Sequence, residues 1–371
     1  MNEIPGQLTV GAERLDEYFS GLKDKAVAVV GNQTSIVGSR HLVDTLLALQ
    51  TKVVKVFSPE HGFRGDADAG EHVATATDKL TGLPLVSLYG DNKKPSAAQM
   101  QGVDVVLFDI QDVGVRFYTY ISTLHYVMEA CAENKVKLIV LDRPNPNGDY
   151  VDGPVLDTNY RSFVGMHPVP IVHGMTIGEY AQMINGEKWL PGSLQCDLEV
   201  IPCLNYTHST PYTLPIPPSP NLRSDRAIRL YPSLCLLEAT SITVGRGTVA
   251  PFERFGHPDF PETGFEFTPK SSYGAKSPKF EGAVCKGYNL SAPKEGETQT
   301  FTLSYLKMAY AHLHLKMFDG QDKFFNVLAG NNMLISQIKK ELSEEEIRAS
   351  WEPALTNYKT AIRPKYVLYP E

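Results

Sequence analysis

No run of apolar residues in this chain is long enough to cross a bilayer, so a helical membrane span is excluded. The first residues, MNEIPGQLTVGAERLDEYF, hold neither the apolar core nor the small-residue cleavage site of an export signal. The chain as given is therefore expected to be soluble. It enters a folded pattern almost at once, as a chain does when a leader has been cut away upstream. Clusters of lysine and arginine are missing too, and the formal net charge is −7; neutralising phosphates needs such clusters, so no nucleic-acid partner is expected. The cysteines are few and odd in number (Cys131, Cys196, Cys203, Cys235 and Cys285), with no CxxC and no zinc-like spacing. A disulfide framework is not expected, and the thiols read as small buried apolar groups.

Several catalytic signatures are absent as well. GNQTSIVG stands after the first apolar run, where a dinucleotide site would carry GxGxxG, and no GxxxxGK[ST] is found for nucleoside triphosphates. Neither the GxSxG of serine hydrolases nor the HExxH of zinc proteases occurs. No cofactor is implied. Internal repeats and low-complexity tracts are also lacking.

What the sequence does have is 371 residues, 42% of them hydrophobic, enough for an extensive core in two domains or one large one. VAVVGN, VVKVFSP, PLVSLYG, VDVVLFDI and KLIVLDRP read as strands buried on both faces, the mark of a parallel sheet. Helical spacing in HLVDTLLALQ and ISTLHYVMEACAEN between them predicts a doubly wound, Rossmann-like, mostly parallel α/β layer structure. Thr176 and Glu179 form a capping-box pattern, and DLEVIPC reads as a further strand, which carries a first domain over residues 1–205. The proline-rich TPYTLPIPPSPNLRS can be neither helix nor central strand and marks the junction. Residues 206–371 read as a smaller C-terminal α/β domain, with strands in SITVGRGT and GAVCKGYNL and helices in FTLSYLKMAYAHLHLKMF and SEEEIRASWEPAL, the last capped by Ser343 and Glu346.

In open parallel sheets ligands bind beyond the carboxyl ends of the strands, so the residues after each apolar run are the ones to inspect. After VVKVF come Glu60, His61, Arg64, Asp66, Asp68, Glu71 and His72; after VDVVLF come Asp109, Asp112, Arg116, Tyr118 and Tyr120; after KLIVL come Asp142, Arg143 and Asn145. Gathering so many charges at one sheet edge is costly unless they pair or meet a ligand, which makes the set a functional candidate. Local pairing is the competing account: Asp112 with Arg116 at i, i+4, or Asp142 with Arg143 capping a loop. With the other signatures absent, carboxylate acid/base chemistry remains, and glycoside hydrolysis is its commonest template. Glu60, between Pro59 and the His61-Gly62 turn, is the best-placed proton donor.

The motifs SPEHGFRGDADAG, DIQDVGVRFYTYISTL, LDRPNPNGDYVDGPVLD, PIVHGMTIGEYA, PPSPNL and EATSITVGRGTVAPFERFGHP closely resemble those of the exo-β-N-acetylmuramidase family, long catalogued as a domain of unknown function. The resemblance covers nearly the whole chain. It implies an active site in the cleft between the two domains and hydrolytic release of N-acetylmuramic acid (MurNAc) from the non-reducing end of muropeptides or of MurNAc-GlcNAc fragments, in cell-wall turnover or recycling. Motif by motif it implies Glu60, Asp109 and Glu238 as catalytic residues. Binding falls to His61, Arg64, Asp112, Arg116, Tyr118, Asp142, Arg143, Asn145, Arg246 and Thr248, and a periplasmic or extracellular location follows from the substrate. EAT stands where the family is expected to have EGT, and NLRS where NLP is usual, which leaves the role of Arg223 open. A lactyl carboxylate needs a cation, best a bidentate arginine, and Arg64, Arg116, Arg143 and Arg246 are available. Phe117, Tyr118 and Tyr120 are candidates to stack on sugar faces. Two other readings use the same residues: a metal-dependent hydrolase built on Glu60, His61, Asp66, Asp68, Glu71 and His72, or a non-catalytic muropeptide-binding protein.

Overall fold

The computed structural model describes residues 6–60, 62–64, 76–293, 296–297 and 299–371. Twelve strands occur among them: β1 (Val27–Gly31), β2 (Ile36–Val37), β3 (Arg40–His41), β4 (Val53–Ser58), β5 (Ala76–Thr77), β6 (Pro84–Ser87), β7 (Val105–Asp109), β8 (Lys137–Leu141), β9 (Leu198–Ile201), β10 (Arg254–His257), β11 (Glu266–Phe267) and β12 (Cys285–Asn289). Seven form one sheet in the order β5-β6-β4-β1-β7-β8-β9, parallel throughout except for the antiparallel edge strand β5. From β1 the chain builds outward through β4 and β6, then returns to β7 on the other side of β1 and builds outward again. The topological switch point therefore lies between β1 and β7, where Gly31 pairs with Asp109.

Every residue of β1 and β7 is buried because both faces of the sheet are covered. Val27, Val29, Leu107 and Ile139 face a core closed by Leu42, Val43 and Leu46 of the helix Leu42–Ala48. Ala28, Val30, Phe108 and Val140 point the other way, into a core that includes the helices Tyr120–Asn134 and Ile177–Gly186. This second core runs without a break into the C-terminal residues Leu306, Ile335 and Trp351. A three-stranded antiparallel sheet, β10-β12-β11, lies in the C-terminal part.

Both expected capping boxes form, Thr176 with Glu179 and Ser343 with Glu346, and residues 210–224 carry no helix or strand. SITVGRGT is not the expected strand. Gly245 and Gly247 take φ of +79° and +78°, which turns the segment into a loop whose ladder pairing among the described residues is the single β-bridge of Thr243 to Gly256. The sequence reading also assigned no helix to Asp225–Glu238, whose interior Pro232 has no amide proton to give the carbonyl of Ile228. Asn147 Nδ2 donates to that carbonyl at 3.3 Å instead, so the NPN motif after β8 stabilises the helix that ends at Glu238.

Candidate active site

Glu60 follows β4, next to the switch point, and is half-buried. Its side chain meets Thr119, whose Oγ1 donates to Oε2 at 3.4 Å, and the Tyr89 hydroxyl, which hydrogen-bonds to it. Burial and the Glu60 charge together push the Tyr89 phenol up to about 12, so it keeps its proton and can only donate a hydrogen bond to the carboxylate. All three line a cleft of about 750 Å³ whose walls also carry Glu238, Arg246, Phe163 and Phe324. Glu238 is the last residue of its helix, and Arg246 sits on the glycine-bounded loop. The two form a bidentate pair, Nε to Oε1 at 2.5 Å and Nη2 to Oε2 at 3.0 Å. Burial alone would lower the guanidinium, but the facing carboxylate outweighs it and holds Arg246 protonated. Thr248 closes the same loop by donating to Gly245 O at 2.6 Å. Below the cleft a recess of about 80 Å³ is shared by Glu60, Arg246, Tyr118 and Tyr120. There the Tyr118 and Tyr120 hydroxyls donate to Pro218 O, at 2.9 and 3.2 Å, and hold the proline-rich segment over the strand tips.

The other strand-tip charges are engaged elsewhere. Asp109 is fully buried and pairs with Arg143 at 2.6 and 3.0 Å, holding that guanidinium protonated against its own burial, while Arg143 Nη2 donates to Ile36 O. Asp142 is buried at the start of the helix Ile177–Gly186. It accepts from Thr176 Oγ1, Gly178 N and Tyr369 Oη, and burial still pushes it up to about 6. Asp112 and Arg116 do not pair. Asp112 accepts from Gly114 N at 2.7 Å and faces His173 at 3.8 Å. Arg116 donates only to carbonyls, those of Pro154, Val169, Leu328 and Ala329, at 2.7 to 3.1 Å. The last two end the helix Asp322–Ala329, where orphan carbonyls and the negative end of the dipole favour a cation. Arg64 is shared by Asp44 and Asp78 and pulls the Asp78 carboxyl down to about 2. Asn145 lines a different cavity, of about 420 Å³, beside His208 and Arg229. His61, and with it Asp66, Asp68, Glu71 and His72 of the metal reading, lies outside the described residues.

Of the four candidate arginines the structure thus brings only Arg246 to the cleft, together with Glu60 and Glu238. Sequence reasoning missed Tyr89, Lys276 and Lys279, all on the cleft wall. Tyr89 follows β6, another strand end, so the strand-tip rule could have found it. The lysines stand in a loop without pattern. Lys279 Nζ donates to the carbonyls of Glu238, Thr240 and Ile242, which fixes the backbone behind Glu238.

Residues 27–226 match the family model described as Exo-beta-N-acetylmuramidase NamZ, N-terminal, and residues 229–369 match the corresponding C-terminal model. The chain belongs to the NamZ family. It is 37% identical over 376 residues to the peptidoglycan beta-N-acetylmuramidase NamZ of Bacillus subtilis (strain 168), an alignment covering 96% of this chain and 89% of that one. Two crystal structures of DUF1343 family proteins from Bacteroides fragilis NCTC 9343 share the fold. One is 47% identical with a TM-score of 0.90, covering 98% of this chain and 99% of its own; the other is 27% identical with a TM-score of 0.82, covering 99% and 100%.

Proposed function

We propose that this protein is an exo-acting glycoside hydrolase that frees the terminal N-acetylmuramic acid from the non-reducing end of peptidoglycan fragments. The B. subtilis relative's activity, carried over a near full-length alignment, supports the reaction class. The observation that carries the site is that Glu60 and the Glu238–Arg246 pair line one cleft large enough for a small saccharide. Glu60 gives its proton to the glycosidic oxygen as the C–O bond breaks, and the leaving sugar departs as an alcohol. The Glu238 carboxylate faces the positive charge growing at the anomeric carbon. The oxygen of water ends on that carbon, and its proton restores Glu60. Arg246 exchanges its carboxylate partner for the lactyl carboxylate of the substrate, which makes the sugar acid a better fit than its neutral analogue. The site of action is proposed to be where such fragments arise, in the periplasm or outside the cell.

The test is product analysis by mass spectrometry after incubation with MurNAc-GlcNAc. The wild-type protein is expected to release free N-acetylmuramic acid. Glu60→Gln, with unchanged circular dichroism, is expected to lose about 10²–10⁴-fold in kcat. Wild-type turnover by that variant would overturn the assignment of Glu60.

A further inference from the structure

Lys279 stands on the wall of the catalytic cleft, where a cation first suggests a ligand for the lactyl carboxylate. Its ammonium is committed elsewhere. The residue is exposed, but Nζ lies among three backbone carbonyls, those of Glu238 at 2.8 Å, Thr240 at 2.6 Å and Ile242 at 3.2 Å. A lysine ammonium has three protons to give, and these carbonyls take all of them.

The carbonyls gather where the helix Asp225–Glu238 ends. That helix has no basic residue in its last turn, and the carbonyl of Glu238 is one of the orphan acceptors left at a C-terminus, where the negative end of the dipole favours a cation. Lys279 supplies the cation from another segment. Its neighbours reach the partner of Glu238: a Cβ at Gly247 would strike the Pro278 ring, and Lys270 N donates to Gly247 O at 2.9 Å. Gly282 N closes the segment on Pro269 O at 2.9 Å. Residues 269–282 therefore grip both the helix end that carries Glu238 and the loop that carries Arg246. Enclosure of the ammonium lowers Lys279 from the ordinary lysine value; the Glu238 charge opposes this and Arg246 adds to it, so the three charges lie within reach of one another.

In the proposed reaction Arg246 turns to the lactyl carboxylate, and Glu238 then loses the bidentate partner that orients it. We infer that Lys279 is a positioning residue for the hydrolysis, holding Glu238 at the anomeric carbon while Arg246 is occupied by the substrate; the inference rests on the glycosidase reading above. It acts through the backbone of Glu238 and touches neither the substrate nor the reacting atoms.

The experiment assays wild type, Lys279→Met and Lys279→Arg on MurNAc-GlcNAc and on the 4-nitrophenyl glycoside of MurNAc, whose leaving group departs without a proton. Glu60→Gln and Glu238→Gln serve as references. Lys279→Met is expected to lose about tenfold in kcat on both substrates with KM unchanged, and Lys279→Arg to recover most of that loss. This is the pattern of Glu238→Gln, which fails whichever group leaves, whereas Glu60→Gln is expected to lose more on the disaccharide. An unchanged kcat, a rise in KM alone, a loss confined to the disaccharide, or Lys279→Arg no better than Lys279→Met would overturn the inference. Should Lys279→Met fail to fold, Lys279→Gln is judged by the same criteria. If the wild type cleaves neither substrate, the glycosidase reading itself fails. Hydrogen exchange at residues 239–246 then decides the hold on Glu238: faster exchange in the Lys279 variant supports it, and unchanged exchange overturns it.

Discussion

Asp112 shows what burial does to a single carboxyl group. Enclosed beside His173, Tyr180 and Tyr118, it is pushed up to about 7 by desolvation, although the amides of Val113 and Gly114 favour its charge. The folded state thus holds this proton more tightly than the unfolded chain does. Its contribution to stability is complete below the ordinary carboxylate value and is lost as the pH climbs through 7. His173 runs the opposite way: burial lowers it to about 3, so its contribution fades as the pH falls below its ordinary value. Denaturant titrations between about pH 4 and 8 should show wild type losing stability relative to Asp112→Asn as the pH rises; parallel curves would contradict the shift. Asp109→Asn is expected to cost about 3–5 kcal/mol in the same assay, because it leaves Arg143 buried beside a weakened partner. A fall in kcat with intact stability would instead return Asp109 to the chemistry. At this scale the sequence revealed which residues stand at strand tips, and Glu60 was legible from that alone. It could not reveal that Asp109 and Arg143, 34 residues apart, neutralise each other, because pairing depends on which strands become neighbours.

Elements were legible where burial imposes a simple pattern. Strands β1, β4, β7 and β8 are apolar on both faces and stand out as runs, and the capping boxes at Thr176 and Ser343 are local chemistry. SITVGRGT misled because its Ile, Thr and Val favour strands, whereas Gly245 and Gly247 decide the backbone. The helix Asp225–Glu238 was hidden by Pro232, whose missing donor is replaced by Asn147 from far away in the chain. Between its two glycines the loop aims Arg246 at Glu238. An alanine at 247 would meet Lys270 O and the Pro278 ring, besides the cost of about 1–2 kcal/mol for a left-handed L-residue. Gly247→Ala should therefore lower Tm and cut kcat/KM at least about tenfold. Gly282→Ala, with φ +76° but open space around it, should show only the stability loss.

Across the whole molecule the two carboxylates that line the cleft among the described residues come from positions 60 and 238, and what keeps their elements together is the core shared by the sheet and the C-terminal helices. Arg116 adds a fastening. From the segment after β7 it reaches the carbonyls of Leu328 and Ala329, and Leu328 itself lines the cleft. The sequence marked Arg116 as charged and near a strand tip, but not that its partners are backbone atoms more than 200 residues away. Arg116→Met is expected to lose about 1–3 kcal/mol for each carbonyl left without a donor and to weaken substrate turnover, although Arg116 does not touch the cleft. Thermal unfolding and kinetics on the same samples check both outcomes; unchanged Tm would refute the fastening. Amide carbonyls take up no proton in the physiological range and carry no net charge for dissolved ions to screen. Burial lowers the Arg116 guanidinium only to about 9, so across the physiological range a clamp that grips them ignores both acidity and ionic strength, and the spacing of Glu60 and Glu238 should stay constant across surroundings that loosen ordinary surface ion pairs.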